Sequence, residues 1–326
     1  MRKAWLFFLG LASVSGYTLP LFLEQEEPLR FLRATELLSI RLEALALDPS
    51  EEQAEKILGD LALFAGSLEV QDPDLLAALE GALEGLEEAT KAKDAARLAA
   101  LSRQTQGLLE RVRARLVPQM GPALEAALMA QLLLLDDGVA ESYEDAAGGE
   151  EGAYGVGRVA LERVRARWQS LKLTLAGQAE GIARVEEGLR VLERLFSSPT
   201  APARFQDPED AEQAALDIVF ALAAASGADL LPRDLGEVLA KVEGLVAQAC
   251  GEGSRRLALE RLLSAHLLYR AYLEDPLKTL APGLGEELDG LLAGLARKLR
   301  GPAGAGTASD CEAVRNALVQ AGHTLR

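Results

Sequence analysis

Between Asp136 and Glu151 the chain carries seven carboxylates, Asp136, Asp137, Glu141, Glu144, Asp145, Glu150 and Glu151, and no Lys or Arg follows before Arg158. If a helix continues through this stretch, Asp137, Glu141 and Glu144 stand at i, i+4 and i+7 and share one face. Like charges at that spacing repel, and anions near a helix C-terminus oppose the helix dipole. A hard cation, which favours several carboxylate oxygens, relieves both penalties. Asp136, Asp137, Glu141, Glu144 and Asp145 are therefore the candidate metal ligands, with Asp136 and Asp145 in support. A solvated, frayed helix end, in which water screens the repulsion, is the competing reading. No Asp-x-Asp-x-Asp-Gly loop is present, so an EF-hand is excluded.

The other chemistry-bearing residues are few. His266 and His323 belong to neither a His-Glu-x-x-His nor a His-x-x-x-His arrangement, which leaves zincin-type catalysis without ligands. No Gly-x-Ser-x-Gly elbow or phosphate-binding loop occurs, and the glycines at 152, 155 and 157 lack the preceding strand of a dinucleotide site. No catalytic or cofactor-binding residue is assigned, and the expectation is a protein that is not an enzyme. Cys250 and Cys311 are the only cysteines. One closes a predicted helix and the other opens a helix three further on, so an up-down bundle brings them to the same end. A disulfide is the natural reading in an exported chain, with two free core thiols as the alternative.

Composition points to all-α. Leu, Ala, Glu, Arg and Gly dominate while Ile, Thr and aromatic residues are scarce, the balance that favours helices over strands. The formal net charge of −16, without a basic stripe, excludes nucleic acid as a partner and favours cations or basic protein surfaces.

The element expected to position everything else is a helix over 155–197. Leu161, Val164, Trp168, Leu171, Leu175, Gln178, Ile182, Val185, Leu189, Leu192 and Phe196 alternate at three and four residues, a heptad-type stripe. Unbroken, it would span about 65 Å. Gly177 and Gly181 bracket Gln178, the polar position of the stripe, and admit a kink or break there. Shorter helices are predicted over 28–47, 51–70, 72–91, 93–116, 121–147, 207–226, 233–250, 254–274, 283–300 and 309–325. Asp-Pro clusters at 48–49, 72–73 and 207–208 supply the caps that open several of them. A pattern beginning Pro73-Asp74-Leu75 and passing through Gly81 and Gly85 recurs at Pro282, Gly290 and Gly294, at an offset of 209. Glycines inside helices are costly, so both copies are expected to make close helix contacts there. The hexapeptide Glu-Arg-Val-Arg-Ala-Arg, at 110–115 and 162–167, reads as solvated helix surface. The expected architecture is an elongated helical bundle: two related helical modules, 24–150 and 201–326, joined by a long central helix in 151–200.

Residues 1–16 have the parts of an export signal: Arg2 and Lys3, an apolar run from Ala4 to Val14, then small residues. Cleavage is expected near Ser15 or Gly16, giving an exported protein, periplasmic or associated with the cell envelope. An uncleaved anchor is the alternative and the one route to the membrane, since no later run has the length and apolarity of a bilayer span.

Leu132 to Leu135 followed by Asp136-Asp137-Gly138-Val139-Ala140-Glu141-Ser142-Tyr143-Glu144, then a long helix carrying Trp168, resembles the soluble helical region of bacterial high-affinity iron permeases. Tyr269-Arg270-Ala271-Tyr272-Leu273, then Pro282 and the Leu288 to Leu295 pattern, is similar to the same region. The resemblance covers most of the chain after residue 30, on loose, Leu-rich motifs. It implies an exported accessory of metal uptake that binds or presents a cation, iron in that family, beside a membrane permease. The family's Arg-Glu-x-x-Glu motifs and membrane helices are missing, so no transport residue carries over. The alternative is a non-catalytic helical scaffold that binds another envelope protein.

Overall fold

The computed structural model describes residues 26–47, 49–117, 119–134, 137–175, 177–228, 234–301 and 307–325. The expected export signal lies outside these residues. No strand occurs among those described, in agreement with the all-α expectation. The chain forms two compact units, Glu24–Leu61 with Asp72–Leu231, and Ala62–Gln71 with Pro232–Arg326.

The first unit contains α1 (Glu26–Leu47), α2 (Glu51–Leu61), α4 (Pro73–Lys91), α5 (Ala95–Leu116), α6 (Pro122–Leu134), α7 (Val139–Ala147), α8 (Ala153–Leu171), α9 (Ala179–Leu195) and α10 (Pro208–Ser226). Side-chain caps open several of them: Ser50 Oγ accepts from the Gln53 amide at 3.3 Å, Asp72 from Leu75 at 3.0 Å and Asp207 from Glu209 at 3.1 Å. Each satisfies an amide that the helix itself leaves free.

The centre of this unit is α1. Every residue from 31 to 42 is buried, with α2, α5, α6 and α8 packed around the helix. A helix enclosed on all sides must pair whatever polar groups it carries. Here Arg33, Glu36, Ser39 and Arg41 go into the interior with the leucines.

The long central helix is not continuous. Its first half is α8, which ends in a 3-10 turn at Lys172–Thr174; Gly177 adopts φ +86°, and α9 begins at Ala179. The halves fold back into a hairpin. Arg165 pairs with Glu193 at 2.7 Å and Lys172 with Glu186 at 3.4 Å, while the rings of Tyr154, in the first turn of α8, and Phe196, at the end of α9, lie 5.2 Å apart. Alternating three- and four-residue spacing describes each helix equally well before and after a reversal, so the stripe does not distinguish one rod from two arms. Trp168 and Leu171 on α8 and Val185, Leu189 and Leu192 on α9 are all buried. The α9 stripe meets α10 so closely that any side chain at Gly188 would run into Ile218. Helix α10 therefore belongs to the first unit, and the boundary expected at 200/201 moves to 231/232.

The second unit contains α3 (Ala65–Gln71), α11 (Leu235–Gly251), α12 (Arg255–Leu268), a π-helical turn at Tyr269–Leu273, α13 (Glu274–Leu280), α14 (Pro282–Arg300) and α15 (Ala308–Thr324). The expected helix over 51–70 is broken at 62–64, and its second part, α3, packs on α12. Ser67 donates to the buried Glu260 carboxylate through both its amide, at 2.8 Å, and its hydroxyl, at 2.7 Å. The sequence repeat appears as α4 and α14, each 19 residues long and opened by proline. Its glycines do not serve close packing as expected: a Cβ at Gly81, Gly290 or Gly294 would meet no atom within 4 Å, and Gly85 alone of the four lies near a neighbour, Leu101.

Candidate functional site

The acidic stretch does not form one helix. Asp137 lies beyond the end of α6 with φ +61°, Gly138 is the N-cap of α7, and α7 starts at Val139. Asp137 is thus out of register with Glu141 and Glu144, and the shared face expected from i, i+4, i+7 spacing is not built. The dipole argument also reverses for Glu141, which stands in the first turn of α7, where an anion is favoured. Asp136 lies outside the described residues.

What gathers around Asp137 comes from far along the chain. Arg41 of α1, its side chain 6% exposed, donates through Nη2 to Asp137 Oδ2 at 2.5 Å, and its Nε lies 3.3 Å from Asp60 Oδ2 on α2. Lys56, one turn earlier on α2, pairs with Glu150 at 2.5 Å. Burial pushes the Asp60 carboxyl up to about 6, with Arg41 opposing and Asp137 adding to the rise. The Asp145 carboxyl is likewise raised to about 6, first by burial and then by Glu150, Asp137 and Glu144, with Lys56 opposing. Burial works against the charge on Arg41, and Asp60, Asp137 and Glu150 more than restore it. An internal guanidinium therefore holds the inner half of the corner, while in the outer half Asp145 is raised by burial and by the neighbouring carboxylates. Among the described residues no three His, Cys, Asp or Glu side chains are placed to enclose a metal ion.

The buried face of α7 explains its orientation. Tyr143 sits between Phe196 and Phe205 at 5.2 and 5.4 Å, and its hydroxyl accepts from the Gln206 amide at 3.1 Å. With that face anchored, Glu144 and Asp145 are carried toward the surface on the other side.

A second charged constellation lies on α1, and the sequence reading did not assign it. Glu36, 1% exposed, accepts at Oε2 from Arg113 of α5 at 2.8 Å and from Arg167 of α8 at 2.7 Å. Arg167 also reaches Glu125 at 2.8 Å, and Arg163 reaches Glu43 at 2.8 Å. Arg113, Arg163 and Arg167 come from the two Glu-Arg-Val-Arg-Ala-Arg segments, expected to be solvated surface. Arg113 and Arg167 instead turn inward onto α1, because a buried carboxylate needs partners there. The available signal was the placing of Arg33, Glu36 and Arg41 in a run otherwise without charge.

In the second unit the sulfurs of Cys250 and Cys311 are 2.13 Å apart, at bonding distance, with Cα atoms separated by 6.0 Å. His266 Nε2 contacts Asp289 at 2.7 Å, tying α12 to α14, and His323 is exposed on α15.

No family model matches the chain, and no curated protein or solved structure matches it. No helix among the described residues is long and apolar enough to cross a membrane.

Proposed function

We propose that the protein is an exported, non-catalytic accessory of metal uptake, iron in the reading that the family resemblance suggests, which binds or presents a cation at the acidic corner. The observation supporting this is the state of Asp145. Its carboxyl is raised to about 6 by burial and by Glu150, Asp137 and Glu144, with Lys56 in opposition. A carboxylate destabilised by like charges gains when a cation arrives. Asp137 accepts from Arg41 and Glu150 pairs with Lys56, so of the expected ligands the reading rests on Asp145, with Glu144 next to it in α7.

Calorimetric titration with ferrous, ferric, calcium and manganese ions at pH 7 tests this reading. Binding tighter than about 1 mM is expected, weakened about tenfold or more in a Glu144→Gln, Asp145→Asn double variant. Heats absent at millimolar metal, or identical in the variant, would remove the site.

The second reading is a helical scaffold for another envelope protein, with a membrane permease the first candidate. It is favoured by Arg41, which already provides the inner carboxylates with a cation. Metal content of protein purified without added metal separates the two readings, since cross-linking to a permease agrees with both.

A further inference from the structure

A groove of about 520 Å³ opens beside Glu36, between the start of α6 and the C-terminal half of α8. Its volume falls in the range of small-molecule sites. Four charged side chains line it, Glu36, Glu125, Arg163 and Arg167, together with apolar surface from Met120 and Leu171. Two atoms of these residues stand out. Glu36 Oε1, an acceptor, and Arg167 Nε, a donor, are closed to solvent and have no hydrogen-bond partner, although the other atoms of the same ion pairs are well matched. Buried polar groups are nearly always satisfied, so an unfilled acceptor and an unfilled donor on two residues that line one groove point to a ligand that supplies the converse pair. The lining also limits the ligand's charge. Two carboxylates face two guanidinia, an arrangement that favours neither a simple anion nor a simple cation and suits a molecule carrying both signs.

We infer that this groove binds a small aliphatic α-amino acid, its ammonium donating to Glu36 and Glu125, its carboxylate accepting from Arg167 and Arg163, and its side chain lying against Met120 and Leu171. The two unfilled atoms are closed to solvent, so the ligand reaches them only as lining side chains yield. The site shares no residue with the acidic corner, so its test is independent of the cation reading.

The experiment is calorimetric titration of the full chain with L-leucine and with its two half-molecules, 4-methylpentanoate, which lacks the ammonium, and 3-methylbutylamine, which lacks the carboxylate. Leucine is expected to bind with a Kd below about 1 mM, and each half-molecule at least about tenfold more weakly. Ser170→Trp, a change at an exposed groove position, is expected to abolish leucine binding without moving the melting temperature. Glu125→Gln, which keeps the side-chain volume, serves the same purpose should the Trp variant fail to fold, with an expected loss of about tenfold. Absence of leucine binding at millimolar concentration overturns the inference. So does equal affinity for leucine and either half-molecule, which would mean ion binding alone, or leucine binding unchanged in both variants.

Discussion

Glu36 is the buried carboxylate that ties α1 to both α5 and α8. Its carboxylate is 1% exposed and shared by Arg113 and Arg167. Glu36→Ala leaves both guanidinia without their inner partner, and breaking a buried pair of this kind costs about 3–5 kcal/mol. Urea denaturation is expected to show that loss, whereas Glu110→Ala, which removes only an exposed partner of Arg113, should cost less than about 1 kcal/mol. Asp60 and Asp145 give a second prediction. Each carboxyl is held near 6 in the folded protein, against about 3.9 in an unfolded chain. Between those values the folded state binds more protons, so stability falls as pH rises through 6 and is regained on acidification. Lowering the pH from 7 to 5 should stabilise the protein by of order 1 kcal/mol per group after solvent screening. Melting temperatures at the two pH values test this, and the difference should shrink in Asp145→Asn. The acids of this corner were legible in the sequence as a charge run. Arg41 and Asp60 were not, because they lie in different helices and no local spacing connects them to Asp137.

Among the elements, the helices were legible almost throughout, since periodicity and Asp-Pro punctuation are local properties. Their breaks were less so. The reversal between α8 and α9 rests on Gly177 at φ +86°, and a stripe with helical spacing does not record a change of direction. Gly177→Ala is expected to destabilise by about 1 kcal/mol, because a side chain disfavours that backbone conformation. Gly188→Ala acts through packing instead. The added methyl would run into Ile218 where α9 and α10 approach, with an expected loss of about 1–3 kcal/mol in chemical denaturation. A double variant in which Ile218→Ala accompanies Gly188→Ala should cost less than the sum of the single changes, the mark of two residues sharing one space. The repeat was legible as a pattern and misleading as packing, because glycine records only the absence of a side chain and not what lies opposite.

For the whole molecule, the bridge between Cys250 and Cys311 spans 61 residues and lies entirely in the second unit. In the chain-entropy model a loop of that size stabilises by about 4 kcal/mol. Reduction should therefore lower the transition of the second unit and leave that of the first nearly unchanged, so that calorimetric scans with reductant resolve two steps. A single transition shifted as a whole would show instead that the units unfold together. Peptide mapping without reductant checks that the bridge is present.

The chain enters the second unit twice, first for Ala62–Gln71 and again from residue 232 onward. On a ribosome, α3 emerges long before α12, whose Glu260 accepts from both donors of Ser67 at a separation of 193 residues. Until then Leu68, fully buried in the finished fold, has no partner from its own unit. The first unit is therefore synthesised in full before the rest of the unit to which this short segment belongs. Truncation after residue 231 would leave Phe64 and Leu68, both fully buried in the finished fold, without the helices of their own unit, and is expected to promote aggregation.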